Sequence, residues 1–264
     1  MKTNHKKISP KTIAVAASLA ALQIGAVYAQ NLNLDEVVVT ASPSGRTKMK
    51  SSDSVTSLGE EAIARSGATN AVEILRTVPG IRAESSSGDS NANITVRGAP
   101  ISAGGSRYVQ IQEDGLPLML FGDIAFGNAD MYLRTDYTTD RLEVVRGGSA
   151  STLATNSPGG VINFISKAGR DAGNAIGATT GIGSNLNRYD FNFGSSIGTD
   201  TYFNMGGFTR QGEGGAIKTG FNSQDGGQFK ASVTKEFDKG SYVRVNFKNL
   251  DDRTPALLPV PVQV

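Results

Sequence analysis

The side chains that most often carry out chemistry are almost absent. The 264 residues contain one histidine, His5, and no cysteine. His5 sits among Lys2, Lys6, Lys7 and Lys11, ahead of a mostly apolar run over 13–25 and small residues at Val27-Tyr28-Ala29. This is the grammar of a secretory signal peptide cut after Ala29, a buried amphipathic helix being the alternative. Without residues 1–29 the chain keeps 22 basic and 24 acidic residues, a net charge of −2, and no histidine. Such a chain cannot build a Ser-His-Asp triad, a Cys-His dyad or a His/Cys metal site. No paired-carboxylate constellation stands in their place. The expectation is a protein that is not an enzyme, with no cofactor and no metal, and nothing argues for nucleic acid.

What remains is backbone and guanidinium chemistry. Asp35-Glu36-Val37-Val38-Val39-Thr40 is a short apolar strand ahead of a Ser/Pro/Gly/Lys-rich stretch over 42–54, with nothing local to pair with. It reads either as an edge strand of the next domain or as a docking strand that adds to another protein's sheet, with 42–54 as a flexible tether. Arg97 and Arg146, each followed by glycine, sit at corresponding strand ends, with Glu143 nearby. They are surface arginines, or buried ones that need well-placed carboxylates. Three polar, glycine-rich loops cover 85–93, 100–106 and 121–128. They solvate turns, or present a partly exposed binding apex in which Phe121 and Phe126 stand among glycines.

The elements that must position these residues fall into two blocks. In the first, 142–167 reads as strand, Gly-rich turn, short helix over 149–154, Gly-Gly turn and strand. A Gly-rich turn before a helix could hold a phosphate, but GxxxxGK[ST] and GxGxxG are both missing. Upstream, Ser57 and Glu60 fit a capping box before a helix over 60–65. Asn70 caps a second helix with Ala71, Val72 and Leu75 on one face, ended by Pro79-Gly80. Short strands follow over 81–84, 94–97 and 109–113, and Asp114-Gly115 turns the chain into 116–120. The second block, after 168, alternates apolar and polar residues. Tyr189, Phe191 and Phe193, then Phe229, Ala231 and Val233, then Val243, Val245 and Phe247 share faces opposite polar neighbours. With weaker runs at 175–183 and 201–211, this makes five strands of about 9–11 residues, as in a membrane β-barrel or a soluble β-sandwich. No apolar run approaches the roughly 18 residues of a membrane helix.

Four ordered motifs add a resemblance: Val78-Pro79-Gly80-Ile81, Ile94-Thr95-Val96-Arg97-Gly98, Asp114-Gly115-Leu116-Pro117, and Glu143-Val144-Val145-Arg146-Gly147 with Gly159-Gly160-Val161-Ile162-Asn163-Phe164. Together they resemble the plug domain of TonB-dependent outer-membrane receptors. The resemblance implies a signal peptide (1–29), a TonB box and linker (30–54), a plug (55–168) and the first barrel strands (169–264). The fold expected is an α+β plug, a small mixed sheet with short helices, followed by antiparallel strands of an incomplete transmembrane β-barrel. It implies that Asp35–Thr40 is the box that TonB, with ExbB–ExbD, engages from the periplasm. It implies that Gly104, Gly105 and Phe121 fall where ligand-contacting plug-loop residues lie; Phe126 joins them as a candidate from its glycine-rich loop, and Arg107, Tyr108, Tyr132 and Arg134 are suggested by proximity in sequence alone. Arg97, Arg146 and Glu143 become plug–barrel contacts. The partners expected are TonB, an extracellular small molecule such as a ferric siderophore, and outer-membrane lipid. Because a plugged barrel takes about 22 strands, the chain reads as an N-terminal fragment. A soluble periplasmic binding or interaction module, or a non-functional truncated receptor, is the alternative.

Overall fold

A computed structural model describes residues 37–38, 40, 46–47, 54–68, 70–85, 92–98, 108–119, 129–147, 150, 154–155, 157–168, 172–214, 218–238 and 241–255. Residues 1–29, expected to be a signal peptide, the loops over 100–106 and 121–128, and most of 149–154 lie outside them. Ala154 N–H donates to Ala150 O at 2.9 Å, the spacing of a helical turn.

Strand β1 (Val37–Val38) pairs antiparallel with β2 (Arg46–Thr47). The docking stretch therefore does have a local partner, contrary to expectation. The partner hides in the polar tether because a backbone ladder needs no apolar side chains.

A five-stranded mixed sheet forms the centre of the first block, in the order β3 (Ser54–Gly59), β8 (Thr139–Arg146), β9 (Gly160–Ser166), β6 (Val109–Glu113), β7 (Leu116–Pro117). Only β6 and β9 run parallel. A separate hairpin joins β4 (Ile81–Ser85) to β5 (Ala92–Val96). Helix α2 (Ala71–Arg76) starts where Asn70 accepts the Glu73 N–H at 2.9 Å, and it buries Ala71, Val72, Ile74 and Leu75. These pack with Ile94, Val96, Ile111, Leu142, Val144 and Ile162 in the main core. Val55, Val145, Ala150 and Val161 form a smaller cluster. Strand β8 is thus sandwiched, as a continuous apolar run demands.

One local expectation changes. The cap of α1 (Glu60–Arg65) is Gly59, with no side-chain cap bond, because Ser57 lies inside β3 opposite Glu143. The return strand expected over 116–120 is seen at Leu116–Pro117, with Leu118 N–H still donating to Ile111 O at 3.0 Å; residue 120 lies outside the described residues. Asp114 and Gly115 have φ of +53° and +81°, the left-handed pair that a two-residue hairpin turn requires.

The second block is an antiparallel sheet in chain order: β10 (Asn174–Gly181), β11 (Leu186–Ile197), β12 (Thr201–Gly212), β13 (Gln224–Glu236), β14 (Tyr242–Arg253). One face carries Tyr189, Phe193, Met205, Phe229, Val233, Val245 and Phe247, all exposed. The other buries Asp190, Asn192, Asn204, Arg210, Gln228 and Thr234. Polar side chains inside and apolar ones outside invert the rule for proteins dissolved in water.

Candidate functional site

Thr40, the last residue of the stretch Asp35–Thr40, is tied to the five-stranded sheet of the first block. Its N–H donates to Glu143 Oε2 at 2.9 Å and its hydroxyl donates to the same oxygen at 2.5 Å. Asn163 Nδ2 donates to the Thr40 hydroxyl at 3.0 Å. Glu143 and Asn163 are directly opposed in the β8–β9 ladder. Glu143 is fully buried, and its other oxygen accepts from Arg141 Nε at 2.9 Å. Buried Glu143 thus finds two donors on a segment 103 residues upstream, and Asn163 finds an acceptor there. Charge-assisted bonds of this kind are the stronger class.

A second site is the seam where the first block meets the polar face of the strands. A 3-10 turn over Ala129–Tyr132 leads into 133–139, which runs along that face. Arg134 Nε donates to Asp252 Oδ2 at 2.5 Å, and Arg210 binds both oxygens of the same carboxylate at 2.7 and 2.9 Å. Arg188 donates to Thr135 O at 2.7 Å, and Gln228 Nε2 to Asp136 Oδ2 at 2.7 Å. Lower on the same face, Glu113 holds Lys248 at 2.6 Å and also pairs with Lys230. Burial alone would raise the Glu113 carboxyl, but Lys230 and Lys248 reverse this and hold it below the ordinary glutamate value. A cavity of about 280 Å³ opens beside them, lined by Lys230, Ser232, Asn246, Lys248 and Asn204.

Residues 47–161 match the family described as TonB-dependent Receptor Plug Domain. They are a plug domain of that family. The vitamin B12 transporter BtuB of Vibrio vulnificus is 27% identical over 154 residues, 58% of this chain and 24% of its own. The catecholate siderophore receptor Fiu of Escherichia coli K12 is 33% identical over 131 residues, 49% of this chain and 15% of its own. The chain thus spans under a quarter of the length of either. Among solved structures, the pyoverdine outer membrane receptor FpvA of Pseudomonas aeruginosa PAO1 superposes with a TM-score of 0.61 at 18% identity, over 80% of this chain and 29% of that one. The open form of Fiu gives 0.55 at 23% identity, over 80% and 29%. These two share the fold: a plug with a mixed sheet and few helices, followed by antiparallel strands.

Of the plug residues expected to matter, Arg97 and Arg146 come together at the Pro79-Gly80 turn. Arg146 donates to Pro79 O and, at 2.7 Å, to Thr56 Oγ1, both within the plug. Arg97 is exposed at a φ of +52°, and its N–H donates to Gly80 O at 2.9 Å. Tyr108 is half-buried, and its carbonyl accepts from Gly159 N–H at 2.8 Å. Gly104, Gly105, Arg107, Phe121 and Phe126 lie outside the described residues, as do Asp35, Glu36 and Val39. Arg134 turns from a ligand candidate into a buried seam residue, and Tyr132 stays exposed while its carbonyl accepts from Lys248. Sequence reasoning missed Glu113, Asp136, Lys230, Lys248 and Asp252. The two lysines and Asp252 carried a signal, since each sits at a polar position of an alternating strand.

Proposed function

We propose that this protein is a TonB-dependent outer-membrane receptor that binds a scarce nutrient outside the cell and imports it to the periplasm with energy passed through TonB. The observation that carries this reading is the order of parts: a plug of the matched family, then five antiparallel strands with an apolar outer face. The same reading divides the chain into signal peptide, box and linker, plug over 55–168 and wall strands from 169. The cargo favoured is a ferric siderophore, the ligand class of the catecholate receptor, against the vitamin B12 of the other relative.

TonB, with ExbB–ExbD behind it, engages Asp35–Thr40 by strand addition, in which backbone hydrogen bonds give the affinity. Val38→Pro removes a backbone donor from this strand. Energised uptake of a ferric siderophore should be lost, with binding at the cell surface unchanged. Uptake that survived would place the docking strand elsewhere.

A further inference from the structure

The inner face of β10–β14 is not charge-balanced. Its inward positions carry Arg188, Arg210, Lys230, Arg244 and Lys248 against Asp190, Glu236 and Asp252, an excess of two positive charges. The carboxylates of the strands take the arginines: Asp190 holds Arg188 at 2.7 Å and Asp252 holds Arg210 at 2.7 Å. Lys230 and Lys248 are left to the plug, where Glu113 binds both. A carboxylate from a removable domain thus sits between two largely buried ammonium groups of a fixed wall. If the plug rearranges and Glu113 leaves, the two lysines remain in a low-dielectric seam without their counter-ion, which is strongly unfavourable.

From this we propose that Lys230 and Lys248 form an anion seat in the barrel wall, which Glu113 fills at rest and an oxyanion of the cargo fills during passage. The inference rests on the receptor reading and narrows it to anionic cargo, such as a siderophore bearing catecholate or carboxylate groups. Space is adequate: a cavity of 150 Å³ holds a benzene ring, and the one beside Lys230 and Lys248 measures about 280 Å³. The Oδ1 of Asn204, on the same lining, is buried with no hydrogen-bond donor among the described residues. As an acceptor it adds nothing for an oxyanion, but it can receive a hydrogen bond from a hydroxyl of the same cargo, as a catechol carries. Exchanging one carboxylate for another anion keeps both lysines paired throughout, so the plug moves without exposing a bare buried charge.

The test uses the full-length protein folded in detergent, with 2,3-dihydroxybenzoate as an anionic catechol and inorganic phosphate as a free oxyanion. Glu113→Gln should bind dihydroxybenzoate roughly tenfold more tightly than wild type by calorimetry. Glu113→Gln/Lys230→Met/Lys248→Met, a neutral cluster of similar volume, should lose that gain. Equal binding by the single and triple variants would overturn the seat, and a gain for phosphate alone would overturn its assignment to cargo. Should Glu113→Gln not fold, Glu113→Asp carries the same comparison, since its shorter carboxylate cannot reach both lysines. Uptake separates this proposal from the reading beneath it. Wild-type cells that import no ferric tris-catecholate would remove that cargo, whereas import at equal rates by wild type and the triple variant would remove the seat alone.

Discussion

A carboxylate with no exposed surface must be met by donors, and Thr40 supplies Glu143 with two of them. Thr40→Val keeps the shape and the backbone bond but deletes the hydroxyl that Glu143 and Asn163 share. Leaving buried groups short of a partner costs about 1–3 kcal/mol. The amide of residue 40 should therefore exchange its hydrogen roughly tenfold faster or more, measured by mass spectrometry. Unchanged exchange would mean that the hydroxyl does not hold the docking stretch. Glu113 gives a pH dependence with a definite sign. Burial alone would raise its folded carboxyl, but Lys230 and Lys248 outweigh this and hold it below the ordinary glutamate value of 4.5. A depressed acid contributes stability that is present above its unfolded value and is lost as pH falls through the folded one. The melting temperature of wild type should thus exceed that of Glu113→Gln at neutral pH, and the two should converge as the pH drops below 4.5. A constant gap would show that the carboxylate's charge is irrelevant at the seam.

The strands of the wall were legible as elements because period two survives in sequence: Phe229, Ala231 and Val233 share a face that Lys230, Ser232 and Thr234 oppose. The pairing of Val37–Val38 with Arg46–Thr47 was not, since that ladder is made by backbone inside a polar stretch. Nor was the path of 133–139, which has no period of its own and is held by Arg188, Gln228 and Asp252 from distant strands. Register within the wall depends on positions such as Gly207. Its φ is +155°, and a Cβ there would lie 1.9 Å from the carbonyl oxygen of Gln228 on the neighbouring strand. Backbone cannot yield that distance as a flexible side chain could, so Gly207→Ala must part β12 from β13. The variant should lose the heat-modifiable folded band on a gel, whereas Ala231→Gly, which only removes a methyl group, should keep it. A folded Gly207→Ala protein would show that the ladder slips without penalty.

At the scale of the whole molecule, the question is which solvent the outer face meets. Phe193, Met205, Ala231 and Phe247 are cross-strand neighbours in one row, and Phe203, Val233 and Val245 in the next, so the apolar surface is continuous over four strands. In a soluble module this face would be an association hazard, and a charge placed on it would be neutral or helpful. In a bilayer, an arginine facing lipid near the midplane costs about 2–4 kcal/mol. Val245, exposed on the outer face of β14, tells the two solvents apart. Val245→Arg should lower the yield of folded protein in outer membranes and its stability in lipid by about that amount, while Val245→Leu changes neither. The opposite result, Val245→Arg as stable as wild type and more soluble without detergent, would assign the sheet to water. The plug would then be part of a periplasmic module and not of a transporter.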